Sequence, residues 1–263
     1  MNHIQIKHLK EVNKIMQSND MPDIEIEYDD GFNPIIKSPN ADFGISFYQT
    51  QMTLMDVDVY KRFLNNAISR FRHSETYKNY KSYLMGMGLD KCFMLSNITA
   101  ESVGAKGIEM HHNFITIFDI ALMITEHVIN TVGHISTFDL VQLLKEEHKA
   151  NHVPIVMLSK TVHQMYHNSE DACIPAHMCF GYWIELFKRY PMGVTKTIAA
   201  KLLNYIDQSV NNMAVETKTM VGMLELRNEL VDYSEYNQYG NNRRISTITT
   251  TQWYEDPEEE AIW

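Results

Sequence analysis

From Asp56 onward the chain repeats apolar residues at helical spacing. Val57, Tyr60, Phe63, Leu64, Ala67, Ile68 and Phe71 fall on one face, which predicts an amphipathic helix with that stripe turned inward. A second helix runs from Ser74, a residue suited to an N-cap, through Tyr77, Tyr80, Tyr83 and Leu84 to the glycines at 86 and 88. Upstream the period changes. Residues 4–16 read as a helix, "DIEIEYDDGFNPII" alternates about Asp30-Gly31 as a hairpin does, and "FGISFYQTQ" reads as a further strand.

Downstream, "IEMHH" at 108–112 is a short alternating strand that ends in two adjacent histidines. Neighbours on a strand point to opposite faces, so one packing role cannot account for both. Two helices follow, with matching starts: Thr116 with Asp119 and Ser136 with Asp139 each place an acid three residues after a hydroxyl, as in a capping box. "HVPIVML" at 152–158 reads as a buried strand and "SKTVHQMYHN" as a short helix. Beyond Pro175 the periodicity predicts helices over 176–189, 195–213 and 215–231, the middle one carrying Ile198, Leu202, Ile206 and Val210 every four residues. From about Ser234 the chain turns Tyr- and Asn-rich, then acidic in "YEDPEEEAIW", the signature of a tail that orders only against a protein partner.

Composition narrows the setting. With 263 residues, 44% of them hydrophobic, the chain can bury the core of one large domain or two modest ones. A net charge of −10 excludes a uniformly basic coat, so a polyanion would have to meet a local patch. Three cysteines without CxxC spacing, and an N-terminus "MNHIQIKHLKEV" without an apolar signal core, point to a reduced cytoplasm. The most apolar stretch, Phe114 to Ile135, is broken by Asp119, Glu126 and His127. It falls short of the ~20 apolar residues of a membrane span and reads as a buried helix.

One local patch of the required sign exists. Lys61, Arg62, Arg70, Arg72, Lys78 and Lys81 lie close together with only Glu75 opposing them. They are either a solvated face over the aromatic stripe or a surface for phosphates, which are gripped mainly by Arg and Lys.

Nine of the twelve histidines lie between 111 and 177. His163 and His167, four apart on the predicted helix, project from one face, as two imidazoles do when they share a metal. Ordinary surface or core histidines are the alternative. A zinc protease is excluded, because the position after the first helical histidine is Gln164 and not the Glu needed as general base.

Taken in order, a strand ending in His111-His112, a second strand "HVPIVML" and a helix bearing HxxxH resemble the ββα-metal, HNH or His-Me finger endonucleases. "PIVMLSKTVHQMYHN" is similar to that family's closing segment, with Ser159 and Val162 where many relatives carry zinc-knuckle cysteines. "RFRHSETYKNYKSYL" and "GIEMHHNFITIFDI" resemble phage-encoded HNH-like proteins.

The resemblance implies a helix-rich α+β fold. A ββα-metal finger over 106–168, with a helical insertion at 114–150, follows an N-terminal α+β region (1–105) that holds a hairpin or small sheet. A helical part (169–233) and a flexible acidic tail (234–263) complete the chain. It implies a phage endonuclease that hydrolyses phosphodiester bonds of DNA in the host cytoplasm. His112 is then the general base, and His111, His163 and His167 ligate one divalent ion, Mg, Mn, Zn or Ni. Asn151, His152 and His148 support the site from outside the ligand shell. Lys160 joins the basic helices on the nucleic acid. Two further readings stay open: a non-catalytic phage structural or regulatory protein that uses such a scaffold for nucleic-acid or protein binding, and a helical interaction protein whose histidines are unrelated.

Overall fold

The computed structural model describes residues 25–28, 34–37, 44–46, 48–168, 173–211 and 218–227. The helix expected over 4–16 and the tail from 234 lie outside them. The protein is helix-rich α+β, as expected.

The N-terminal hairpin forms: β1 (Glu25–Tyr28) pairs antiparallel with β2 (Pro34–Lys37), and Tyr28 lies opposite Pro34. β3 (Gly44–Ser46) adds antiparallel to β2. The stretch expected as a single strand after the hairpin is in fact two, for β4 (Tyr48–Thr50) leaves that sheet. It pairs with β6 (His134–Ser136), which the sequence pattern did not reveal. Three residues are too few to show a period, and only the distant partner makes them a strand.

Helix α1 (Val57–Arg72) starts at Asp56, whose carboxylate accepts the N–H groups of Asp58 and Val59, and it buries Tyr60, Phe63, Leu64, Ala67, Ile68 and Phe71. Val57, expected on that face, stays exposed in the first turn. α2 (Glu75–Gly86) is capped by Ser74. Both predicted capping boxes close, Thr116 with Asp119 at the start of α3 (Ile117–Val132) and Ser136 with Asp139 at the start of α4 (Thr137–Lys149). α3 ends where Gly133 turns left-handed at φ 91°.

Helix α3 is the centre of the core. Ile120, Ala121, Met123 and Ile124 are fully buried, and α1 and α4 both pack on it. The turn Pro191–Gly193 lies so close to it that a Cβ on Gly193 would overlap the Met123 carbonyl.

β5 (Ile108–His112) and β7 (Ile155–Ser159) pair antiparallel, with His112 opposite Ile155 and Ile108 opposite Ser159. β7 begins after Pro154, which has no N–H to give a ladder. α5 (Lys160–His167) follows without a loop, and the Ser159 hydroxyl accepts the Val162 N–H at its start.

The helix expected over 176–189 is broken. Ala176–Met178 is one 3-10 turn, Phe180 pairs its backbone with Ile155, and Gly181 turns at φ 110° before α6 (Trp183–Arg189). A Cβ on Gly181 would strike the Val153 carbonyl, so this left-handed position is open only to glycine. α7 (Lys196–Asn211) and a last helix, α8 (218–227), complete the described residues. No helix among them is long and apolar enough to cross a membrane.

Candidate functional site

Strand alternation builds the site. Glu109 and His111 lie two apart on one face of β5, and Ile108, Met110 and His112 point the other way, into the core. Because α5 leaves β7 directly, its first turns cross the Glu109 and His111 face. His163 and His167, one turn apart, therefore meet β5.

Three imidazoles converge there. His111 Nδ1 lies 2.8 Å from His163 Nε2, and His167 Nε2 lies 2.9 Å from the same atom. One ligand atom from each lies within 4.8 Å of the others. His111 and His163 are buried and His167 is exposed, so the cluster sits at the protein's edge. The Tyr166 ring stands edge-on to His111 at 5.0 Å between centroids. Burial, then the neighbouring His163 and His167, push His111 down to about 3, which keeps its ring neutral with a lone pair to offer.

Behind the cluster, His163 Nδ1 donates to Glu109 Oε2 at 2.8 Å. That bond, reinforced by the charges of His163, Lys160 and Lys81, holds the half-buried carboxyl of Glu109 below its usual range against the opposing effect of burial. Glu109 escaped the reading of the sequence. Its signal was an acid two residues before His111, hence on the same strand face.

His112 goes elsewhere. Its Nε2 lies 3.0 Å from His148 Nε2, and His148 Nδ1 donates to the Leu144 carbonyl at 2.7 Å. That second bond leaves His148 Nε2 as the acceptor, so His112 Nε2–H donates to it. Phe71, Tyr80 and Tyr77 ring His148, at 4.5, 5.5 and 6.3 Å between centroids. Burial drives His112 well below its ordinary value and His148 to about 4. Both are neutral core groups.

Asn151 and His152 belong to another network. Asn151 is left-handed at φ 56°, and its carbonyl accepts the Tyr182 N–H at 2.6 Å. His152 Nδ1 donates to Glu147 Oε2 at 2.8 Å, and the Tyr190 hydroxyl and Arg189 Nε reach Glu147 Oε1 at 2.7 and 3.1 Å. Glu147 is fully buried, pinning the end of α4 to α6. In "KEEHKANH" it reads as a surface acid, and only the tertiary contacts reveal it.

The predicted cations divide. Arg62, Arg70 and Lys78 are exposed on α1 and α2, and Lys61, Arg72, Lys81 and Lys160 are half-buried. Arg70 stands 5.9 Å over the Phe138 ring. Arg72 is close enough for its charge to disfavour protonation of His112.

A family model described as "Bacteriophage G278-like virion protein" matches residues 5–237. No curated protein and no solved structure matches the chain. The family match overturns the HNH resemblance, which rested on 106–168, and with it the endonuclease and hydrolase assignment; the phage origin stands. The structure supplies a physical reason for the correction. The expected general base, His112, is buried and donates its proton to His148 inside the core, on the strand face opposite Glu109 and His111.

Proposed function

The chain belongs to the bacteriophage G278-like virion protein family, and from that membership we propose that it is a non-catalytic structural component of the phage particle. The observation that carries this reading is the extent of the match, from residue 5 to residue 237, which takes in every described element. The interior supports it. His112, expected as the general base, bonds His148 and joins β5 to α4, while His152, expected as a supporting residue, bonds Glu147, which also accepts from the Tyr190 hydroxyl beyond α6. Mass spectrometry of gradient-purified particles tests the proposal. The protein should be retained through a high-salt wash at a reproducible copy number per particle; its absence from washed particles overturns the reading.

A second reading concerns the partner, and the exposed cations favour it. Arg62, Arg70 and Lys78 on α1 and α2 form the face that meets packaged DNA. Duplex binding by the purified protein should weaken steeply with salt, and its slope should flatten when the three are replaced by Ala. Binding that is absent at low salt, or unchanged in the triple variant, removes this partner.

A further inference from the structure

We propose that His111, His163 and His167 form a binding site for a zinc-class transition-metal ion, that Glu109 acts through His163 as its positioning residue, and that the bound ion staples β5 to α5.

The hydrogen-bond arithmetic of the cluster leads to a cation. His163 gives its Nδ1 proton to Glu109, so its Nε2 offers one in-plane lone pair. Two other ring nitrogens, His111 Nδ1 and His167 Nε2, lie at 2.8 and 2.9 Å from that single lone pair. One lone pair accepts one good hydrogen bond, so it cannot serve both neighbours. An ion among the three nitrogens turns three lone pairs into three bonds. The separations fit, since ligands at 2.0 to 2.1 Å from a tetrahedral ion stand ~3.3 Å apart, inside the observed range of 2.8 to 4.8 Å.

The donor set chooses the metal class. Three neutral imidazoles suit zinc, nickel or cobalt, whereas magnesium and calcium take oxygen donors. Charge points the same way. The carboxylate of Glu109 reaches the cluster through the far nitrogen of His163, so its charge stands behind the ligands and the donors that face the ion are nitrogens. A carboxylate on the far nitrogen of a ligating histidine fixes its tautomer and raises its basicity, which is the place Glu109 occupies.

The staple would join chain segments about fifty residues apart, and any ion held by the folded state alone raises its stability by mass action.

The test uses the full-length protein after chelator treatment, titrated with Co(II), Zn(II) or Mg(II). One Co(II) per chain should bind with visible d–d absorption that Zn(II) abolishes, and Zn(II) should raise Tm by several degrees while millimolar Mg(II) does not. His167→Ala, at an exposed position that spares the core, should bind at least 100-fold more weakly. Glu109→Gln should keep the stoichiometry and lose about 10- to 100-fold in affinity. Wild-type protein that gives neither the cobalt spectrum nor the zinc shift, that responds equally to Mg(II), or that His167→Ala matches in affinity, overturns the site. Unchanged affinity in Glu109→Gln overturns the positioning role.

Discussion

His112 and His148 share one proton between their Nε2 atoms, 3.0 Å apart in the core, with the Leu144 carbonyl fixing which ring donates. The pair ties β5 to α4 and lies under the aromatic stripe of α1 and α2. Its chemistry makes the fold acid-sensitive. His148 titrates near 4 when folded and near 6.5 when unfolded, so acidification protonates the unfolded chain first. The contribution is complete above about pH 6.5, declines as pH falls towards about 4, and totals about 3 kcal/mol over that window. Urea unfolding at pH 7.5, 5.5 and 4.5 should show the decline, and His148→Phe should make it shallower by the share of His148, while the part due to the buried His112 and His111 remains. A wild type equally stable at all three values contradicts this account.

The two capping boxes should differ in worth. Asp119 closes its box and also accepts from Lys201 Nζ at 2.8 Å, whereas Asp139 closes its box with Ser136. Asp139→Ala should cost about 1 kcal/mol, the usual value of an N-terminal cap, and Asp119→Ala about 2 because a buried charge-assisted bond goes with it. Equal losses in thermal melts would show that the Lys201 contact contributes nothing.

Glu147 and Arg189 form an unequal pair. The carboxylate is sealed and has three donors, but the guanidinium side chain is half exposed. Arg189→Ala should therefore cost under about 1 kcal/mol. Glu147→Ala should cost about 2 to 4, since it leaves the Tyr190 hydroxyl and the His152 ring without their acceptor. The same denaturation curves measure both, and a reversed order refutes the assignment of Glu147 as the pin.

Two glycines allow a comparison of causes. Gly133→Ala meets open space but carries a left-handed φ of 91°, a strain of about 1 kcal/mol. Gly193→Ala drives a methyl into the Met123 carbonyl on the central helix, and backbone cannot yield as a side chain can. That cost should exceed about 2 kcal/mol. Comparable melting temperatures for the two variants would mean that the 191–193 turn can lift away from α3.

What the sequence shows about this fold depends on how local each cause is. The buried face of α1, both capping boxes and the shared face of His163 and His167 follow from spacings of three and four residues. Strand alternation likewise separates His111 from His112, yet it cannot say which side is wet. That is decided by α4 and the aromatic rings, tens of residues away, and the catalytic role expected for His112 failed there. The β4 and β6 pairing, the Phe180 bridge to Ile155 and the donors gathered on Glu147 are long-range in the same sense. No window of neighbouring residues contains them.

The pairing of Tyr48 with Ser136 and of Thr50 with His134 also sets an order of events during synthesis. A polypeptide leaves the ribosome N-terminus first, so β4 emerges more than eighty residues before the strand that completes it. Throughout that interval α1 and α2 can coil, because their hydrogen bonds are local, but β4 presents an open edge. A chain stopped short of residue 134 has no β6 to cover that edge. Nascent fragments of this protein should therefore be sticky until α3 has cleared the exit tunnel and β6 follows it.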